Sequence, residues 1–179
     1  MKATGIVRRI DDLGRVVIPK EIRRTMRIRE GDPLEIYTDN DGEVIFKKYS
    51  PIGELSSFAS QYAEVLNKIG GYPVVVCDRD HVISVAGIPK KELLERRVSP
   101  ALEEMMEQRR SFAVTGDGKK MQPVEGVDRY ALVQAPIIAA GDVCGSLMFI
   151  AGDNPVPATE TEIKLIQVGA VFLGKQMEE

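Results

Sequence analysis

Two periods of apolar residues divide this chain. Thr4 to Ile10 and Arg15 to Ile18 are short β-branched runs, which read as strands around the turn Asp11-Asp12-Leu13-Gly14. Pro19 stops the second run and opens a short helix over residues 20–27. Gly31-Asp32-Pro33 breaks the chain again. Leu34-Glu35-Ile36-Tyr37 and Val44-Ile45-Phe46 then read as a hairpin turned through Asn40-Asp41-Gly42. Val16, Val17 and Ile18 are consecutive, so their strand needs cover on both faces. Four short strands and one helix over about 50 residues hardly provide that cover. A second copy of the chain can, and the pattern predicts an obligate dimer.

After the hairpin the period changes. Ser50-Pro51-Ile52-Gly53 reads as a short linker, which places two domains at residues 1–52 and 53–179. Leu55, Phe58, Tyr62, Val65 and Ile69 are spaced 3-4-3-4, which predicts a helix over residues 54–69. A second helix over residues 160–178 starts at the capping box Thr159-x-x-Glu162. One of its stripes runs through Ile163, Ile166, Ala170, Leu173 and Met177, another through Leu165, Val168 and Phe172. Two stripes call for two neighbours, the chain's own sheet and a helix of a partner chain. We assign Leu55, Phe58, Tyr62, Val65, Ile69, Ile163, Ile166 and Leu173 to a four-helix contact between chains. Between these helices lie strand-like runs at 74–77, 81–85, 130–138 and 143–150, and a helical stretch over 90–110 broken at Ser99-Pro100. The class is α+β around an antiparallel sheet.

The composition is that of an ordinary folded chain: 179 residues, 44% hydrophobic and 28% charged. No run approaches the roughly 18 apolar residues of a membrane span, and residues 1–5 lack the apolar run of a signal peptide. We expect a cytoplasmic protein that meets no membrane. Cys77 and Cys144 lie in apolar runs, which fits a reducing compartment. With one histidine, His81, and two cysteines the chain offers no four-ligand zinc set without carboxylates, so no metal or cofactor is expected.

Charge changes the picture more. The net charge is −3, yet residues 1–29 hold nine basic and three acidic side chains and carry +6, which leaves −9 on the remainder. On a helical wheel Lys20, Arg23, Arg24 and Arg27 share an arc of about 100°, and Glu21 falls outside it. Four like charges on one face repel one another unless an anion faces them. Guanidinium forks pair with phosphate oxygens or a guanine edge. No aromatic lies among these residues, which disfavours stacking on single strands.

The run from Thr4 to Arg24, with Gly31-Asp32, Leu34-Glu35-Ile36-Tyr37 and Lys47-Lys48-Tyr49, resembles the AbrB-type DNA-binding module. The resemblance implies a swapped-hairpin β-barrel dimer that binds double-stranded DNA. It implies DNA contacts from Arg8, Arg15, Arg23 and Arg24, with Arg9, Lys20 and Arg27 on phosphates. The phrases from Val76-Cys77-Asp78 to Ala86-Gly87, and from Ala135-Pro136 to Gly145-Ser146-Leu147, resemble a GAF sensor domain. That resemblance implies a cavity for a small-molecule ligand, under the middle helix and a loop from Ala113 to Arg129. The resemblances imply a nucleoid-associated protein that dimerises through the first domain, and the helix stripes of the second domain predict a tetramer. Its function would be to activate and repress sporulation-stage genes, in the forespore. Two other readings follow from the same families: an antitoxin with this N-terminal fold, and a GAF enzyme working through cysteine thiols.

Overall fold

Before residue 50, α1 (Lys20–Thr25) and one antiparallel pair, β1 (Leu34–Thr38) with β2 (Val44–Lys48), are the regular elements among the described residues. The structure is a computed structural model that describes residues 4–116, 119–151 and 156–178. The chain falls into two units, Met1–Tyr49 and Ser50–Glu179.

In the first unit the hairpin forms as its sequence predicts. Asp39 Oδ1 accepts from the N–H groups of Asp41 at 3.0 Å and Glu43 at 2.9 Å, and Gly42 takes φ +81°. The expected strands at 4–10 and 15–18 form no ladder. The physical reason is pairing: a strand needs a neighbour, and among the described residues of their own chain no strand pairs with these runs. Their apolar side chains stand in solvent, with Val7 85%, Ile10 72% and Val17 70% exposed. Among the described residues up to Tyr49, only Pro19 is buried.

The second unit is a five-stranded antiparallel sheet with helices on both faces. Its elements are α2 (Pro51–Glu54), α3 (Ser56–Gly70), β3 (Val74–Asp78), β4 (Val82–Ala86), α4 (Lys90–Leu93), α5 (Pro100–Glu107), β5 (Phe112–Ala113), β6 (Ala131–Ala139), β7 (Asp142–Ile150) and α6 (Glu160–Gln176). The strand order is β4-β3-β7-β6-β5. Val74, Val75, Val76 and Cys77 are all fully buried, because successive side chains point to opposite faces and both faces are covered. Val74 and Val76 meet Ala59, Ala63 and Leu66 of α3 and Ile166, Ala170 and Leu173 of α6. Val75 and Cys77 meet Leu93 of α4 and Leu102 and Met106 of α5. The segment read as a linker is α2 instead. Ser50 Oγ accepts from the Gly53 N–H at 3.1 Å, and Ile52 is fully buried in the α3/α6 core.

The capping box of α6 forms, with the Thr159 N–H donating to Glu162 Oε2 at 2.6 Å. Two glycines let α6 lie close on the sheet: a Cβ on Gly174 would come within 2.1 Å of Ile138 O, and one on Gly169 within 2.6 Å of Leu147. This close packing corrects two assignments. Ile166 and Leu173 are fully buried against their own sheet and offer no surface to a partner. Leu55, Phe58, Tyr62 and Ile163 are half-buried, the last three against the same core. Of the residues assigned to a contact between chains, Val65 and Ile69 are exposed; on α6 the outward apolar residues are Val168, Val171 and Phe172.

A substitution test follows. Ile166→Ala and Leu173→Ala should each destabilise the second unit by about 2–5 kcal/mol. The double change to Glu should unfold it by burying two unpaired charges. Thermal unfolding followed by circular dichroism checks both.

Candidate nucleic-acid interface

Asp11 organises the turn that carries Arg15. Its Oδ1 accepts from the N–H groups of Leu13 at 3.0 Å and Arg15 at 2.8 Å. Its Oδ2 accepts from Arg15 Nε at 2.8 Å. The Asp11 N–H donates to Arg15 O at 3.0 Å, and Gly14 takes φ +75°, where a side chain would be strained. The Arg15 hydrogen bonds hold the Asp11 carboxyl below the usual carboxylate range, so it is ionised at neutral pH. Arg8 and Arg9 precede this turn and are exposed.

α1 presents three more cations. Pro19 fixes its start, and Lys20, Arg23 and Arg24 are exposed and form no ion pair with any described carboxylate. Its exit is tightly closed: the Ile28 N–H reaches Arg23 O at 2.8 Å and the Arg27 N–H reaches Arg24 O at 3.3 Å. Arg27 sits at φ +51°, the position such a closure normally gives to glycine. Lys48 Nζ braces it, donating to Arg27 O at 3.0 Å and lying 3.5 Å from Asp32 Oδ2. Asp32 in turn accepts from the Arg29 N–H at 2.9 Å. Arg27 is therefore half-buried and tied by its backbone, unlike the three cations on α1. The sequence places Asp11 in a turn, Asp32 in a chain break and Lys48 in the AbrB-like motif, and assigns none of them a bonding role. The spacing of Asp11 and Arg15 across a Gly turn was the available signal for the first. No spacing announced the Asp32–Lys48 brace, which joins segments distant in sequence.

The sheet face toward α4 and α5, where a ligand was expected, is filled by buried side chains including Val75, Leu102, Met106, Met121 and Met148. Gln134 is fully buried, and its Nε2 donates to Ser146 Oγ at 2.8 Å. A hollow of about 180 Å³ lies elsewhere, bordered by Val114, Lys120, Tyr130 and Ala151. Asp117 and Gly118 of the expected roofing loop lie outside the described residues. Among the described residues no three His, Cys, Asp or Glu side chains gather as a metal site. No helix among the described residues is long and apolar enough to cross a membrane.

Known proteins agree with this two-part organisation. Residues 54–178 match the family model for the stage V sporulation protein T C-terminal, a transcription factor. Residues 7–53 match the model for antidote-toxin recognition MazE, a bacterial antitoxin. The chain is 52% identical over 181 residues to the stage V sporulation protein T of Bacillus subtilis (strain 168), covering 100% of both chains. It is 65% identical over 51 residues to the transition state regulatory protein AbrB of the same bacterium, covering 28% of this chain and 52% of AbrB. A crystal structure of a GAF domain/HD domain protein from Geobacter sulfurreducens aligns with a TM-score of 0.52 at 18% identity, over 69% of this chain and 91% of that one. That likeness shows a GAF-like fold for the second unit. The AbrB-type and GAF-like resemblances read from the sequence both hold.

Burial disfavours the thiolate form of both cysteines. Cys77 is fully buried, and burial pushes its pKa far up, with Asp78 adding to the shift. Burial also raises the Cys144 pKa, and Sγ lies 3.6 Å from Asp142 O. His81 is exposed beside the β3–β4 turn. A raised pKa keeps both groups as thiols at neutral pH, and thiolate appears only as pH rises past the shifted value. Cys77 should therefore resist iodoacetamide at pH 8 in the folded chain and react after denaturation. Mass spectrometry of the alkylated peptides measures this.

Proposed function

We propose that this chain, which belongs to the stage V sporulation protein T family of transcription factors and carries an AbrB-type DNA-binding unit, grips duplex DNA with Arg8, Arg9, Arg15, Lys20, Arg23, Arg24 and Arg27. The observation that carries the reading is the one-signed set on α1. Lys20, Arg23 and Arg24 face solvent without a described carboxylate partner, in the segment most similar to AbrB. The antitoxin reading is weaker, because the MazE-type match stops at residue 53 and the rest matches a transcription-factor family. The targets are sporulation-stage genes of the forespore, some activated and some repressed. The second unit offers a place for small-molecule control.

Assembly is part of the proposal. The exposed apolar side chains of residues 6–17 and of the β1–β2 hairpin support a dimer whose copies complete each other's sheet. Val65 and Ile69 of α3, with Val168, Val171 and Phe172 of α6, support a second contact between copies. Phe172 lies across α3, its ring 5.9 Å from that of Phe58 and 5.5 Å from that of Tyr62. Using both contacts gives a tetramer.

Two experiments test this. Affinity for duplex DNA should fall with salt at a log–log slope near −0.9 per neutralised phosphate. Arg23→Ala or Arg24→Ala should flatten that slope by roughly two units per dimer. A salt-independent affinity, or one that both substitutions together leave intact, would remove the surface. In sedimentation the full chain should run as a tetramer. Val168→Glu with Phe172→Glu should return it to a folded dimer with weaker DNA binding through lost avidity. An unchanged oligomer in that variant would contradict the second contact.

A further inference from the structure

A carboxylate among cations that face DNA is electrostatically unfavourable, and Asp11 is such a carboxylate. Its geometry gives it a task. Arg15 has five N–H donors in a rigid fork, and Asp11 Oδ2 accepts from Nε at 2.8 Å. That bond leaves both terminal amino groups outside the pair, and the Arg15 side chain is 69% exposed. The other carboxylate oxygen holds the N–H groups of Leu13 and Arg15, so the base of the side chain and its head are fixed by one residue.

We propose that Asp11 is a positioning residue for DNA recognition: it grips Arg15 through Nε, so that the two terminal amino groups stand ready for one bidentate contact with the duplex. The inference rests on the reading of Arg15 as a DNA contact. A free arginine must surrender rotamer freedom on binding. One already held by a charge-assisted bond has less to lose, and its fork points in one direction. Lysine cannot do the same, because a single ammonium would serve either Asp11 or the duplex as a point charge.

The sign of the effect separates positioning from mere charge. Asn at position 11 keeps a carbonyl oxygen for the two backbone N–H groups and loses only the ionic bond to Nε. Removing a negative charge beside a polyanion should by itself tighten binding. Positioning demands the reverse.

The test uses the full-length chain and duplexes enriched by it from a random-sequence pool, with alternating inosine–cytosine polymer as the non-specific competitor. Asp11→Asn should weaken binding to the enriched duplex about tenfold, the size of one lost bidentate contact. It should leave binding to the competitor unchanged or stronger. The double change Asp11→Asn with Arg15→Ala should be no weaker than Arg15→Ala alone. Arg15→Lys, which leaves Asp11 and the turn in place, should bind as poorly as Arg15→Ala. If Asp11→Asn binds the enriched duplex as well as the unaltered chain, Asp11 positions nothing. If its loss adds in full to that of Arg15→Ala, or if Arg15→Lys binds normally, the grip on Nε is not what matters. If Arg15→Ala alone binds normally, the underlying reading of Arg15 falls, whatever Asp11 does.

Discussion

Ile6, Val7, Ile10, Leu13, Val16 and Val17 are exposed, and among the described residues before Ser50 only Pro19 is buried. That shortage of self-burial governs the first unit. Each large apolar side chain left in water forgoes about 1.5–3 kcal/mol of stabilisation. A whole domain is stable by only about 5–15 kcal/mol. A handful of such residues is therefore the difference between a folded and an unfolded unit. On the proposed dimer, the partner that buries them also supplies the rigidity that fixes Arg8, Arg15 and α1. DNA binding and pairing then become a single property, and a change that weakens pairing weakens recognition without touching a cation.

The second unit has the opposite character. Both faces of its sheet are covered, and the run Val74-Val75-Val76-Cys77 is buried from end to end. A ligand entering under α5 would have to displace side chains such as Leu102, Met106 or Met148. On the proposal of small-molecule control, such displacement would give a ligand two arrangements to choose between. It can change DNA affinity only by as much as it prefers one arrangement, typically about 1–3 kcal/mol. Gln134 and Ser146 add a polar pair to the same face, so repacking there would break a hydrogen bond as well as apolar contacts.

The legibility of the sequence follows which forces are local. The hairpin at Asn40-Asp41-Gly42, the capping box at Thr159 and the long helices were readable, because turn chemistry and 3-4 spacing act within a few residues. The strands at 4–10 and 15–18 were readable as pattern only, since a ladder depends on a neighbour that no pattern specifies. The stripes of α6 were seen, but the wrong one was turned outward. Ile166 and Leu173 look like Val168 and Phe172 in hydrophobicity. The neighbours Gly169, Ala170 and Gly174 mark the inner side, because only small residues allow the approach to Ile138 and Leu147. β5, two residues long, is too short to have a period. At the interface the cations were legible from their one sign, whereas the role of Asp11 needed the distances.

The net charge of −3 is no obstacle to a polyanion partner. At physiological salt a charge is screened beyond about 8 Å. Lys20 and Arg24 are four residues apart on a helix, roughly 6 Å along its axis. Lys20, Arg23 and Arg24 thus act on one another and on a shared phosphate group, while most of the acidic excess after residue 29 is spread over a much larger surface. Placing them on one short helix raises their mutual repulsion in the free protein. A facing row of phosphates relieves that repulsion and releases counterions at the same time. The cost of crowding the cations is thereby recovered only when DNA is bound, which makes the local arrangement, and not the overall charge, the determinant of the partner.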